Sequence, residues 1–155
     1  MRKKIDFILS RSLIVLMAVM VINVLWQVAS RYLFASPSTF TDELAGFLLI
    51  WVGLLGAGYA TGQGLHLAIN ILPEATTGKT KKALQFATDI SIILFALLVM
   101  CVGGGRLVYI TFDLQQLSSA LQLPLGVVYL VLPLSGLIMI YYAIDNMISV
   151  RNGSD

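Results

Sequence analysis

The sequence predicts an all-α integral membrane protein with four transmembrane helices in a single membrane domain over residues 1–155. Hydrophobic residues make up 58% of the chain and charged residues only 12%, which is about half the charged share of a soluble domain. The mean hydropathy is +0.89. The charged residues are also grouped, so that long apolar stretches separate them. We therefore expect spans at about 12–34, 42–65, 84–112 and 124–145.

The first span follows a short basic head. Residues 12–30 form a run of 19 residues without a charge, after four basic residues among the first eleven. A basic head before an apolar run is also typical of a signal peptide, but the run is longer than the apolar core of such peptides. We therefore expect an uncleaved first helix. Asn23 and Gln27 lie on one of its faces, where side-chain amides can bond to a neighbouring helix.

The second span is the best marked. Asp42 and Glu43 precede residues 44–65, a run of 22 residues without a charge. Such a helix is about 33 Å long, enough to cross a hydrocarbon core of about 30 Å. Thr39 and Asp42 have the spacing of a capping box. Small residues recur along one side, where they either pack inside the bundle or contact another protein; they are Gly46, Gly53, Ala57, Ala60 and Gly64.

The third and fourth spans are less regular. Residues 90–105 carry no charge, but at 16 residues they are too few to cross alone. We therefore expect a longer, tilted helix whose glycines at 103–105 mark a close approach or a weak point. In the last span Pro124 suits the first turn of a helix, and Pro133 is expected to kink its middle.

The segments between the spans are short or polar. Residues 66–72 are apolar and could lie along the membrane surface as a short interfacial helix. The polar region 112–122 is expected to form a loop or a second short surface helix. Eight of the ten Lys and Arg residues fall on one side of the predicted membrane, with Arg31 and Arg106 on the other. Both termini should therefore be cytoplasmic.

The chain offers little chemistry at membrane depth. No Asp, Glu, Lys, Arg or His lies near the middle of a predicted span, and the sequence has one cysteine, Cys101, and one histidine, His66. Thiol oxidation needs paired cysteines, and a protease of the Ser–His type needs a buried histidine. We expect no catalytic, cofactor or metal site, so the protein should not be an enzyme. No basic cluster interleaved with aromatic residues indicates nucleic-acid binding.

Polar and aromatic residues are concentrated where the first two spans meet. Arg31 could form a salt bridge with Asp42 or Glu43 across the short turn. Alternatively, these groups contact a second protein, because Arg and aromatic anchors often carry binding energy. The candidate partner-interface residues are Trp26, Gln27, Arg31, Tyr32, Asp42, Glu43, Gly53 and Ala57.

Several segments, taken together and in order, resemble a known family, the small membrane subunit (DctQ type) of tripartite ATP-independent periplasmic (TRAP) transporters. Each segment alone is a weak signal, but the ordered set covers most of the chain. The segments are WQVASRYLF at 26–34, Pro37 followed by TDEL at 41–44, IWVGLLGAGYA at 50–60, GLHLAINIL at 64–72 and SSALQLPLGVVYLVLP at 118–133.

The resemblance implies a four-helix subunit of the bacterial inner membrane without a transport site of its own. In such systems a periplasmic binding protein captures an organic acid, often a carboxylate or sialic acid, and a large membrane subunit moves it with a sodium gradient. The implied role is to scaffold the large subunit and help dock the binding protein. Expected partners are those two proteins and membrane lipids. The alternative is a stand-alone four-helix exporter that acts as a homo-oligomer.

Overall fold

The computed structural model describes residues 2–33, 38–64 and 79–152. Within them, four helical stretches are long and apolar enough to cross a membrane, which confirms the predicted fold class. The first begins at Arg2, ten residues earlier than predicted. The predicted interfacial helix at 66–72 and His66 lie outside the described residues. The candidate spans are Arg2–Leu33, Thr39–Gly62, Leu84–Asp113 and Leu125–Ser149.

Seven helical elements build these stretches. They are α1 (Arg2–Leu33), α2 (Thr39–Gly62), α3 (Lys79–Phe95), a π-helix (Ala96–Gly103), α4 (Gly104–Asp113), α5 (Leu125–Tyr129) and α6 (Val131–Asn152). α1 ends with Arg31 in its last turn and α2 begins with Asp42 in its first. Both charges match the helix dipole, which favours a cation at the C-terminal end and an anion at the N-terminal end.

The start of α2 is capped one residue earlier than predicted. The Ser38 hydroxyl accepts a hydrogen bond from the Thr41 backbone N–H at 3.4 Å. The Thr41 hydroxyl donates to the Ser38 carbonyl at 2.9 Å. Ser38 therefore takes the N-cap position that we predicted for Thr39, and this frees the Asp42 side chain for another partner.

The third stretch changes its winding at its centre. Between α3 and α4 the eight residues of the π-helix form i to i+5 hydrogen bonds, and the Gly104 N–H still donates to the Val99 carbonyl five residues back. Gly104 also fulfils the prediction of a close approach at 103–105. A Cβ atom there would lie 2.8 Å from the Leu132 Cβ and 3.3 Å from the Pro133 Cδ.

Of the two alternatives predicted for the region 112–122, the structure shows a loop after α4. Gln115 and Gln122 have positive φ angles of 48° and 53°, which place two sharp bends in it. Leu117 and Pro124 pair in an isolated antiparallel bridge. The Leu125 N–H donates to the Gln116 carbonyl at 2.9 Å. The loop is thus closed at its base by backbone hydrogen bonds.

The last stretch is interrupted near its proline. α5 ends at Tyr129, and Leu130 separates it from α6. In an unbroken helix the carbonyl of Tyr129 would accept a hydrogen bond from residue 133, but Pro133 has no N–H to donate. The interruption therefore falls one turn before the proline, where the missing bond would have been.

Two compact units emerge from the backbone contacts. The first comprises Met1–Gly56 and Arg106–Val131, and the second Ala57–Gly105 and Leu132–Asp155. Buried side chains of the first unit include Asn23, Thr41, Leu55, Thr111, Val128 and Val131. Those of the second include Thr61, Ile92, Ala96, Met100, Ser135, Met139, Tyr142 and Ala143.

Candidate partner interface

The Glu43 side chain holds the loop that follows α4. Its Oε1 accepts a hydrogen bond from the Ser119 N–H at 2.9 Å. Its Oε2 accepts two more, from the N–H groups of Ala120 and Leu121, each at 2.8 Å. One carboxylate therefore binds three successive backbone donors, and hydrogen bonds to an ionised acceptor are about twice as strong as neutral ones.

This arrangement follows from the backbone geometry of the loop. Residues 119–121 form a tight turn between the two positive φ angles, so their N–H groups point together instead of pairing with another strand. Successive N–H groups in such a turn form an anion-binding concavity. Glu43 occupies it from the first turns of α2. The prediction of a loop or short surface helix at 112–122 thus located the segment, although not the residue that holds it.

Side-chain amides join α1 to the start of α2, as predicted from their shared face. The Asn23 Nδ2 donates to the Thr41 carbonyl at 2.8 Å, and Asn23 is buried. One turn further along, the Gln27 Nε2 donates to the Asp42 Oδ1. Two of the eight candidate residues, Gln27 and Asp42, are therefore direct partners of each other. We call Gln27, Asp42, Glu43 and residues 119–121 the loop-anchoring cluster.

Trp51 makes a further connection in the first unit. Its indole Nε1–H donates to the Val128 carbonyl at 3.1 Å. Close by in sequence, Gly126 packs against the Phe112 ring, whose nearest atoms would lie 2.6 to 2.9 Å from an added Cβ. A side chain at this position would therefore force the Phe112 ring to move. The loop is therefore followed by a helix that is itself fixed by an aromatic contact and an indole hydrogen bond.

Of the two alternatives considered for Arg31, the salt bridge with Asp42 or Glu43 does not form. Both carboxylates bond to other groups, and Arg31 has no salt bridge to any residue that the structure describes. It is exposed, as are Trp26 (60% of its surface) and Tyr32 (78%) on the same helix. These three candidate residues are therefore exposed in the part of the chain that the structure describes.

The two small candidate residues have different surroundings. A Cβ atom built on Gly53 would have no atom within 4 Å, and the same is true of Gly46. This part of the small-residue stripe therefore does not pack against the described part of the chain. Ala57 belongs to the second unit and is half-buried, and its carbonyl accepts a bond from the Thr61 hydroxyl at 2.9 Å.

Sequence reasoning missed the helix face that is used in close packing. In the second unit, Gly58 faces Ile138, whose Cγ2 would lie 3.2 Å from an added Cβ. Gly62 faces the buried Tyr142 ring, at 2.6 Å. Gly58 and Gly62 are four residues apart, which is the spacing of a small-residue contact in membranes. The four-residue spacing of these two glycines is visible in the sequence. The prediction instead followed the longer stripe of small residues, which lies on another face of α2.

The cluster binds and orients a loop, and its geometry does not point to a chemical reaction. Within the described residues, no group of three or more His, Cys, Asp and Glu side chains could hold a metal ion. Both carboxylates are engaged by donors of this same chain. The arrangement therefore fixes the conformation of a loop on the protein surface.

Comparison with known proteins agrees with this description. Residues 20–152 match the family described as "Tripartite ATP-independent periplasmic transporters, DctQ component". The chain is 26% identical over 134 residues to a Haemophilus influenzae protein named as a TRAP transporter small permease protein, covering 86% of this chain and 81% of that protein. It is 23% identical over 140 residues to the sialic acid TRAP transporter small permease protein SiaQ of Vibrio cholerae, covering 87% and 76%.

A third relative is a different kind of component. The sialic acid TRAP transporter permease protein SiaT of Haemophilus influenzae is 34% identical over 73 residues, which cover 44% of this chain and 12% of that protein. The match to the family extends over most of the chain. It contains the second, third and fourth apolar helical stretches whole, and the first from residue 20 onward. The chain is therefore a multi-pass membrane protein that belongs to the DctQ family, the small membrane component of TRAP transporters.

Proposed function

We propose that this chain scaffolds the large membrane subunit of a TRAP transporter and helps dock the periplasmic binding protein during sodium-driven uptake of an organic acid. The carboxylate or sialic acid class is the substrate class that we favour. Family membership supports the setting, the bacterial inner membrane. The observation that carries the docking role is the Glu43 carboxylate, which fixes residues 119–121 through three backbone hydrogen bonds. The Asp42 carboxylate bonds to Gln27, so neither carboxylate is free to bind a solute.

The loop presents an apolar surface. Leu114, Leu117 and Leu123 are all exposed, and exposed glutamines lie between them. With both termini in the cytoplasm, as the Lys and Arg distribution favours, this loop faces the periplasm. A loop that is already ordered loses less conformational entropy when a partner binds. A Glu43-anchored loop is therefore well suited to contact a soluble binding protein.

The exposed helix faces suit the scaffold role. Trp26 and Tyr32 on α1, and Gly46 and Gly53 on α2, are open in the isolated chain. Smooth faces let a second helix approach closely in lipid, where packing drives association. This chain also matches the sialic acid TRAP transporter permease protein SiaT over 73 residues, which supports a role beside a permease of that kind.

Reconstitution tests the proposal directly. Proteoliposomes should take up the organic acid only when they contain this chain and the large subunit, with the binding protein outside and a sodium gradient imposed. This chain should also co-purify with the large subunit. Transport by this chain alone, or a stable homo-oligomer that excludes the large subunit, would contradict the proposal and favour the stand-alone exporter.

The docking role has its own experiment. Glu43→Ala should weaken uptake at low binding-protein concentration and leave co-purification with the large subunit intact, because the loop loses its anchor. Ser119→Ala is the matched control, since Ser119 binds Glu43 through its backbone N–H. Equal uptake by Glu43→Ala and Ser119→Ala, at every concentration of binding protein, would remove the docking role.

A further inference from the structure

The first three turns of α1 carry a mixed basic and apolar face that is separate from the loop-anchoring cluster. Lys3, Phe7 and Arg11 are spaced by four residues, as are Lys4 and Ile8, so all five lie on one side of the helix. All five are exposed, Phe7 at 60% and Ile8 at 64%. We call them the basic face of α1.

The opposite side of the same turns packs against the rest of the protein. Leu9 is buried. Arg2 and Asp6 are half-buried and already take part in interactions. The basic face is organised as well, because the Arg11 guanidinium lies 5.2 Å from the centre of the Phe7 ring. That distance is within the range of a cation–π contact, which orients a cation beside an aromatic surface.

The length of α1 places this face beside the bilayer surface. The helix has 32 residues and is about 48 Å long, whereas its charge-free run, 12–30, covers about 28 Å. That run alone nearly matches a hydrocarbon core of about 30 Å. The preceding ten residues continue for about 15 Å without a break in the helix. Arg11 therefore lies at the edge of the core, with Lys3 and Lys4 further out.

We propose that the basic face of α1 binds the headgroups of anionic phospholipids. The two ammonium groups and the guanidinium match the lipid phosphodiesters, and exposed Phe7 and Ile8 suit the boundary between headgroups and acyl chains. Basic side chains next to a spanning helix are attracted by the negative surface of a membrane that contains anionic lipid. The face thus fixes the depth of α1 in the membrane through lipid.

Native mass spectrometry of the full chain tests this proposal. The purified protein is mixed with equal amounts of phosphatidylglycerol and phosphatidylcholine, and the bound lipids are counted. The wild-type chain should favour phosphatidylglycerol. The triple variant Lys3→Gln, Lys4→Gln and Arg11→Gln should lose most of that preference, at roughly fivefold in affinity for each cation removed. The variant Lys3→Arg, Lys4→Arg and Arg11→Lys, which keeps the charges, should retain it.

A second triple variant removes the same charge elsewhere. Lys79→Gln, Lys81→Gln and Lys82→Gln should leave most of the phosphatidylglycerol preference intact. Equal loss in the two triple glutamine variants would show general attraction to a basic protein and would overturn the proposal. So would an unchanged preference in the first triple variant, or a wild-type chain that binds both lipids equally. Circular dichroism of each variant confirms that the helices are formed before lipids are compared.

Discussion

Different contacts dominate inside each of the two units of this chain. In the first unit, side chains bond to backbone groups across elements: Asn23 to Thr41, Glu43 to residues 119–121, and Trp51 to Val128. Among the described glycines, four of the second unit bring helices into direct contact, whereas Gly126 is the one that does so in the first; the four are Gly58, Gly62, Gly104 and Gly136. The difference teaches that polar bonds can position a loop that has little apolar surface to bury, whereas helices in lipid gain most from close packing.

Disrupting a glycine contact of the second unit should cause the largest loss of stability. A Cβ on Gly136 would lie 2.8 Å from the Met100 Cβ, 2.9 Å from the Cys101 Sγ and 3.2 Å from the Ala96 carbonyl oxygen. Gly136→Leu should therefore destabilise the chain by about 3 kcal/mol or more, because these atoms lie close to the backbone and cannot move aside cheaply. The gain in helix propensity, about 1 kcal/mol at most, is too small to offset this.

Gly53→Leu is the matched control for that measurement. It brings the same change in propensity, but its side chain enters open space. In detergent, the thermal unfolding midpoint of Gly53→Leu should stay near that of the wild type while that of Gly136→Leu falls by several degrees. Equal midpoints for the two variants would show that the second unit does not depend on glycine contacts. Loss of co-purification in Gly53→Leu would locate the large subunit on this face.

Removing the Glu43 carboxylate should affect only the loop that it anchors in the first unit. In Glu43→Ala, the amide hydrogens of Ser119, Ala120 and Leu121 lose their acceptor. Their hydrogen exchange should become about tenfold faster or more, because exchange reports local opening. In Asp42→Asn the same amides should keep their protection, since Asp42 bonds to Gln27. Unchanged exchange in Glu43→Ala would mean that the backbone bridge alone holds the loop.

Removing a single indole hydrogen bond should cause the smallest loss of stability. Trp51→Phe keeps an aromatic ring but removes the donor to the Val128 carbonyl. The expected loss of stability is about 1 kcal/mol, in line with a single hydrogen bond and with the modest values measured between membrane helices. Trp26→Phe, at an exposed position, should change stability by less than about 0.5 kcal/mol. A larger loss at Trp26 than at Trp51 would reverse this assignment.

The sequence predicted the fold well because lipid imposes a simple rule. A spanning helix needs a long apolar run, and four such stretches are visible in the sequence without knowledge of their contacts. Local bonds between neighbouring helices could also be anticipated, since Asn23 and Gln27 share a face and the next helix begins a few residues later. The π-helix could not, because its residues are as apolar as any others in the span.

The candidate site was predicted only in part. Gln27, Asp42 and Glu43 were singled out as a polar group, and the structure gives them hydrogen-bond partners that the sequence did not predict. Arg31 was the obvious cation, yet Glu43 bonds to backbone N–H groups 76 to 78 residues away. Backbone donors carry no side-chain signature, and their direction depends on φ angles that a sequence without a glycine at 115 or 122 does not reveal.

The π-helix affects how the interface of this protein should be mapped. Scanning mutagenesis of membrane helices assigns residues to faces by counting 3.6 positions per turn. Across Ala96–Gly103 that count fails, because each turn there takes in an additional residue. A scan along Leu84–Asp113 should therefore be analysed as two separate series, restarted at Gly104. If a single helical net with 3.6 residues per turn were applied to the whole segment, lipid-facing and partner-facing positions would be assigned to the same face.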